Sequence, residues 1–192
     1  MAKIKWFFLF VIVLMTLPHA EAQTETFLKP GILRAQGAFA IGHLPKYSAT
    51  HIYLKGDLSY YIDKRFSLRA DSYFFVDSQD NDNKPYNTLN SLFVGGSYHY
   101  GSGGKFDPYV GAQTGVAHAS KNYMSFPSSD PNYGFSPLIS AHAGLNYYAP
   151  KWFHLFVHLQ YIHGTHTESF VNGSLNEWRL SFGLGWNLFL KD

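Results

Sequence analysis

The chain contains no cysteine and few charged residues. Its 192 residues include 0 Cys, so it has no disulfide framework and other interactions must stabilise it. Charged residues make up 15% of the sequence and the formal net charge is only +2. Part of that excess comes from Lys3 and Lys5 at the start of the chain. A balance this close to neutral gives no basic field for a nucleic-acid partner, and we expect none.

Long hydrophobic runs are also scarce. The one run, residues 6–17, follows Lys3 and Lys5 and is shorter than the ~20 apolar residues that a membrane-spanning helix needs. Ala20-Glu21-Ala22 then supplies a small-x-small cleavage signature. This order of features is typical of a secretory signal peptide. We therefore predict a signal peptide over residues 1–22, cleavage before Gln23, and one exported domain over residues 23–192.

Aromatic residues and glycine, in contrast to cysteine and charged residues, are abundant in the chain. Aromatic residues make up 18% of the chain, with 17 Phe and 14 Tyr, and there are 17 Gly. A small exported domain that is rich in aromatics and glycine and free of cysteine has the profile of a membrane β-barrel. Tyrosines that stand beside short turns, such as Tyr60, Tyr100 and Tyr147, are expected in an aromatic girdle at a membrane interface.

The last predicted strand alternates strictly between two kinds of side chain over residues 177–188. Every second residue is polar or very small, and the residues between them are large and apolar: Trp178, Leu180, Phe182, Leu184, Trp186 and Leu188. A period of two over this length predicts a β-strand with one apolar face. Tryptophan near both ends of the apolar face is typical of a strand that crosses a bilayer.

Seven more stretches have strand patterns and are separated by connections of alternating length. The short connections are residues 62–65, 101–105 and 149–151, and longer polar connections lie between them. Short turns at one end and long loops at the other indicate an up-and-down barrel rather than a sandwich. The fold class that we predict is all-β: an eight-stranded antiparallel transmembrane barrel. Its predicted strands are residues 32–42, 50–61, 66–76, 89–100, 108–118, 138–148, 152–164 and 176–189.

If the apolar faces of the strands meet lipid, the other parity fills the barrel lumen. An eight-stranded barrel is just wide enough to be filled by its own side chains, so we predict a polar plug rather than a pore. Its charges have mixed signs and can pair. Asp57 is expected opposite Asp71, and Arg34 is expected to meet Glu177 or Arg179 where the barrel closes. The predicted lumen network is Arg34, Lys55, Asp57, Arg69, Asp71, His142, His158, Glu177 and Arg179.

Two segments carry a resemblance to a known family. Residues 181–188 (Ser-Phe-Gly-Leu-Gly-Trp-Asn-Leu) resemble the final-strand signal of bacterial outer-membrane barrels, and residues 106–112 (Phe-Asp-Pro-Tyr-Val-Gly-Ala) resemble strand openings of the OmpA and OmpX type. The resemblance implies a monomer in the outer membrane of a Gram-negative bacterium, in contact with lipid and lipopolysaccharide. It also implies assembly by the barrel-assembly machinery, with short periplasmic turns and longer outer loops.

Two alternatives to a non-catalytic barrel remain. The first is a soluble, lipocalin-like barrel that binds a ligand, in which the apolar faces would point inward. The second is a lipid A-modifying hydrolase, because His163-Gly164-Thr165 is similar to the motif of the lipid A deacylase barrels. In that enzyme His163 would be the base, Thr165 the nucleophile and Glu177 the carboxylate that orients the imidazole.

The sequence thus favours a non-catalytic barrel with a structural role or a surface-interaction role. We expect no cofactor and no metal, since His142 opposite His158 would supply only two of the three or four ligands that a site needs. An unidentified extracellular ligand or partner would bind the longest connection, between the fifth and sixth predicted strands. The candidate contact residues there are Tyr123, Met124, Phe126, Tyr133 and Phe135.

Overall fold

The chain folds into a series of β-strands, each paired with its neighbours. The structure, a computed structural model, describes residues 27–79, 86–101, 104–121, 133–149, 152–166 and 173–189. The predicted signal peptide and its cleavage site lie outside these residues. No α-helix in the described ranges is long and apolar enough to cross a membrane. The strands are β1 (Ile32–Leu44), β2 (Ala49–Tyr61), β3 (Phe66–Ser78), β4 (Tyr86–His99), β5 (Phe106–Lys121), β6 (Tyr133–Tyr148), β7 (Phe153–His166), β8 (Gly173–Ser174) and β9 (Glu177–Phe189).

The strands close into an antiparallel barrel. Each of β1 to β7 pairs with the next strand along the chain, and β9 pairs with both β7 and β1. The remaining strand, β8, is two residues long and pairs only with Thr165 and His166 at the end of β7. The predicted eight-stranded antiparallel barrel is therefore confirmed. The sequence did not predict β8, because two residues inside a polar connection show no alternation.

The two faces of the barrel differ in polarity as the strand parity predicts. The outer face is apolar: Leu54, Val94 and Phe182 are 49%, 57% and 60% exposed. The inner face carries most of the buried charges and amides. A water-soluble barrel that binds an apolar ligand needs the opposite arrangement, with apolar side chains inside. The lipocalin-like alternative is therefore wrong.

Residues 62–65, 104–105 and 149, from the short connections, lie at one end of the barrel, which we call the turn end. The opposite end, with residues 45–48 and the ends of β3, β5 and β7 that lead into the longer connections, is the loop end. Tyr60, Tyr100 and Tyr147 point outward at the turn end, as predicted for an aromatic girdle. Trp152 and Trp186 are exposed at the same end, so the girdle extends over the final strands.

Residues 27–31 turn back over the barrel opening at the turn end. Gly31 has a φ of 84°, a left-handed conformation that glycine adopts without strain, and its N–H donates to the Tyr61 carbonyl over 2.9 Å. This turn buries Leu28 completely and stacks the ring of Phe27 on Tyr148, with centroids 5.3 Å apart. These side chains form an apolar plug at the turn end: Phe27, Leu28, Ile32, Tyr61 and Tyr148.

A second apolar cluster closes the lumen toward the loop end. Its larger members include Tyr53, Tyr73, Tyr86, Phe93 and Leu138, all buried on the inner face. The polar side chains of the lumen therefore lie between two apolar layers. This arrangement separates the charges of the lumen from the water at both ends of the barrel.

Candidate functional site

The lumen contains three polar clusters at different heights, and the first surrounds Asp107 near the turn end. Its carboxylate is fully buried and accepts hydrogen bonds from Asn146 Nδ2 over 2.9 Å and Tyr148 OH over 3.1 Å. His99 Nδ1 lies 2.9 Å from it, and the guanidinium of Arg34 is 3.7 Å away. Arg34 also donates to Tyr148 OH. One buried carboxylate is thus compensated from several strands, as a buried charge requires.

The second cluster, at mid-height, consists of two carboxylates and two cations. Lys55 Nζ lies 2.9 Å from Asp57 Oδ2 and 3.3 Å from Asp71 Oδ1. Arg69 lies 2.8 Å from Asp57 and 3.0 Å from Asp71. Gln113 Nε2 adds a hydrogen bond to Asp71 over 2.6 Å. The four charges cancel, and all of these side chains are buried.

The third cluster lies toward the loop end and is centred on the pair Glu177 and Arg179. Arg179 Nη2 lies 2.7 Å from Glu177 Oε2, and Tyr53 OH donates to Glu177 Oε1 over 2.7 Å. The guanidinium of Arg179 is 4.2 Å from the ring centre of Tyr53 and 4.5 Å from that of Tyr73. The cation is therefore held between two aromatic rings, where cation–π attraction adds to the ion pair.

Gln36 connects the first cluster with the second. Its Nε2 donates to Asn146 Oδ1 over 3.1 Å, and its Oε1 accepts from Arg69 Nη2 over 3.3 Å. Since Asn146 also donates to Asp107, a continuous chain of hydrogen bonds runs from the turn end to mid-height. Such a network fixes side chains from distant strands relative to one another. The lumen network can therefore stabilise the barrel and block passage through it.

Every residue of the predicted lumen network lies on the inner face and is buried, but two predicted contacts are wrong. Arg34 pairs with Asn187 in the β1–β9 register, whereas Arg179 lies opposite Gly42 toward the other end. Arg34 and the pair Glu177–Arg179 are therefore in different clusters. The error has a geometric reason: antiparallel strands place the end of one beside the start of the other, so two early residues do not meet.

The predicted pairing of His142 with His158 is also wrong. The β6–β7 register places His142 opposite Gln160, and His158 opposite Gly144. The two imidazoles still contact each other diagonally, with ring centroids 5.2 Å apart. Within the described ranges, no group of three or more His, Cys, Asp or Glu side chains is arranged to hold a metal ion.

The proposed catalytic set His163, Thr165 and Glu177 is not brought together. His163 and Thr165 are on the outer face of β7 and are exposed. Glu177 lies opposite Ile162, is fully buried in the lumen, and is bound to Tyr53 and Arg179. Because successive strand residues point to opposite faces, the barrel wall separates the imidazole from the carboxylate.

The structure describes only part of the predicted outer-loop contact surface. Tyr123, Met124 and Phe126 lie outside the described residues. Tyr133 begins β6, and nothing is described of its side chain. Phe135 is 74% exposed on the outer face near the loop end, with its ring 5.1 Å from that of His118.

Sequence reasoning missed several residues of the lumen. The predicted fifth strand begins at residue 108 and does not include Asp107, whereas β5 begins at Phe106. Its parity matches that of Gln113, so a strand two residues longer would have included it. The inward-facing rings of Tyr53, Tyr73 and Tyr109 were also missed. These tyrosines share the parity of Lys55, Asp71 and Gln113, which was the signal that could have identified them.

Comparison with known proteins shows the fold. No protein-family model matches the sequence, and no curated protein matches it. Among solved structures, the N-terminal β-barrel domain of Pseudomonas aeruginosa OprF is 18% identical, with a TM-score of 0.61 and coverage of 83% of this chain and 98% of that chain. The outer membrane protein OprG of the same organism is 14% identical, with a TM-score of 0.64 and coverage of 84% and 97%. Neisserial surface protein A is 17% identical, with a TM-score of 0.59 and coverage of 82% and 96%. The chain therefore has the fold of small eight-stranded outer-membrane β-barrels.

Proposed function

We propose that this chain is an integral outer-membrane β-barrel with a closed lumen, and that it has no catalytic role. The observation that carries the proposal is the polarity of the barrel wall. Large apolar side chains such as Phe39, Val76 and Leu184 cover the outside, while charges and amides are paired inside. Lipid solvates such an exterior, whereas water would leave a continuous apolar surface exposed.

The filled lumen supports a structural role or a surface-interaction role over transport. Three polar clusters occupy the barrel at different heights, and apolar clusters cover them on both sides. A barrel of eight strands has little interior space beyond that of its own side chains. In planar bilayers we expect the refolded protein to give no stable conductance steps, beside a general porin as positive control. Regular steps from the folded protein would contradict the closed lumen.

A binding partner would then contact the loop end of the barrel. The exposed ring of Phe135 lies there, next to the connection that contains Tyr123, Met124 and Phe126. Exposed aromatic side chains on a rigid scaffold are typical of contact surfaces. This role requires that the loop end face the outside of the cell and the turn end the periplasm.

Single cysteines can test location and orientation together, because the chain has none of its own. Lys46→Cys places a thiol in the exposed connection 45–48 at the loop end, and Lys105→Cys places one in a turn at the opposite end. In intact cells, a membrane-impermeant maleimide is expected to label Lys46→Cys and to label Lys105→Cys only after the outer membrane is permeabilised. The reverse pattern would overturn the orientation. Recovery of both variants in the soluble fraction would overturn the membrane location.

A further inference from the structure

Four basic side chains surround the turn end of the barrel. Lys29 precedes β1, Lys64 and Arg65 lie in the turn between β2 and β3, and Lys105 lies in the turn between β4 and β5. All four side chains are exposed. In the described part of the chain, none of the ion pairs within 4.0 Å involves these four residues. We call Lys29, Lys64, Arg65 and Lys105 the basic collar.

The turns that carry the collar are fixed by backbone hydrogen bonds to neighbouring strands. The carbonyl of Arg65 accepts from His99 N over 2.7 Å, and the carbonyl of Lys105 accepts from Tyr148 N over 2.8 Å. Asp63, an exposed carboxylate beside the collar, accepts from the N–H groups of Arg65 and Phe66 over 2.6 and 2.8 Å. These bonds hold the collar in place while its long side chains stay in solvent.

The collar lies just beyond the aromatic girdle of the turn end. Phe66, Tyr98 and Tyr100 form a row on the outer face, with successive ring centroids 5.0 Å apart. Aromatic rings of membrane proteins mark the boundary between the hydrocarbon and the headgroups. Cations one step further out along the barrel are therefore at the height of the lipid phosphates.

The connections at the other end have the opposite charge balance in the sequence. Acidic residues outnumber basic ones there: Asp80, Asp82, Asp130 and Glu168 against Lys46 and Lys84. Positive charge is therefore concentrated at the turn end rather than spread over both ends. A surface of this sign attracts anionic lipids at close range and loses that attraction when salt screens it.

We propose that the basic collar binds the phosphate groups of anionic phospholipids, of the phosphatidylglycerol type, in the leaflet at the turn end. This inference rests on the proposed membrane location of the barrel. The ligand is a lipid headgroup rather than free phosphate, because the girdle places the collar at the membrane surface. The contact would anchor the turn end in that leaflet and select the lipids around it.

Spin-labelled lipids can measure this preference directly. The folded barrel is placed in phosphatidylcholine vesicles that contain a trace of spin-labelled phosphatidylglycerol or spin-labelled phosphatidylcholine, and the motionally restricted fraction is recorded for each. For the wild-type protein we expect severalfold stronger association of phosphatidylglycerol, reduced by high NaCl. The triple variant Lys64→Gln, Arg65→Gln, Lys105→Gln keeps only Lys29 of the collar, and most of the preference for phosphatidylglycerol is expected to be lost.

Two control variants test whether the positive charge of the collar selects the lipid. Lys46→Gln at the loop end should keep the preference, and so should Lys64→Arg with Lys105→Arg, which retain the charge. Inorganic phosphate should compete no better than NaCl of equal ionic strength; stronger competition would overturn the assignment to lipid headgroups.

Equal association of the two lipids with the wild-type protein, or an unchanged preference in the triple variant, would overturn the proposed binding of lipid by the collar. Absence of any restricted lipid would instead overturn the membrane location. Heat-dependent gel mobility confirms that each variant is folded.

Discussion

Asp57 and Asp71 are direct cross-strand partners in β2 and β3, and both carboxylates are buried. Two like charges at opposite positions would repel each other, so the pair exists only because Lys55 and Arg69 lie within 3.3 Å of both aspartates. The two cations bridge the two strands and make the mid-height cluster electrically neutral. The lumen is therefore stabilised by the set of four charges rather than by any one pair.

Removal of one charge from this set should destabilise the barrel. In Asp71→Asn, two buried cations would face one carboxylate, and we expect the free energy of unfolding to fall by about 3 kcal/mol. Urea titration in lipid vesicles, followed by tryptophan fluorescence, measures the change. Asp77→Asn is the matched control, because Asp77 is exposed and the amide can still accept from the Ser78 N–H. Equal stability of Asp71→Asn and the wild type would contradict the role of the cluster.

Gly42 and Gly37 offer a matched pair on β1. A Cβ at Gly42 would overlap the Glu177 carboxylate and the Tyr53 ring, whereas a Cβ at Gly37 would meet nothing within 4 Å. Gly42→Ala is expected to lower the free energy of unfolding by roughly 1–3 kcal/mol, the usual cost of overpacking, and Gly37→Ala should not. The same urea titration compares them. A Gly42→Ala protein as stable as Gly37→Ala would show that the side chains of the third cluster, around Glu177, can move to make room for the added methyl group.

Arg179 should not be replaceable by lysine. Its guanidinium lies between Tyr53 and Tyr73 and also donates to Glu177 and Ser91. An ammonium keeps the charge but loses the flat contact with both rings, so Arg179→Lys should cost about 1–2 kcal/mol. Arg65→Lys, in an exposed turn, is the control and should be neutral. Equal effects of the two substitutions would mean that only the charge of Arg179 matters.

Leu28 tests whether residues 27–31 belong to the folded barrel. Its side chain is fully buried in the turn-end plug, so Leu28→Ala should cost roughly 2–4 kcal/mol through lost contacts and a residual cavity. Leu188→Ala makes the same chemical change on the outer face, where lipid chains can fill the space, and should cost less. If both variants unfold at the same urea concentration as the wild type, the plug does not contribute to stability.

Alternation predicted the barrel well because the face of a strand residue depends only on its parity. The burial of Arg34, Lys55 and Glu177 follows from that rule. The pairing of Asp57 with Asp71 could be predicted as well, because a short turn fixes the register of the two strands that it joins. Pairing over longer distances depends on register, which alternation does not determine, and a shift of two residues preserves every face. His142 and His158 show this: both faces were predicted correctly, but their pairing was shifted by two residues.

The buried position of Glu177 leads to the last prediction, which concerns lipid chemistry. His163 and Thr165 are exposed on the outer face, and the carboxylate of Glu177 accepts hydrogen bonds from Tyr53 and Arg179 inside the barrel. Because the barrel wall separates Glu177 from His163, this carboxylate cannot orient the imidazole as the base of a triad. The mass spectrum of lipid A from cells that express the intact protein should therefore match those of the His163→Ala and empty-vector controls. Loss of one acyl chain only with the intact protein would establish a hydrolase and would require a different carboxylate or a rearranged β7.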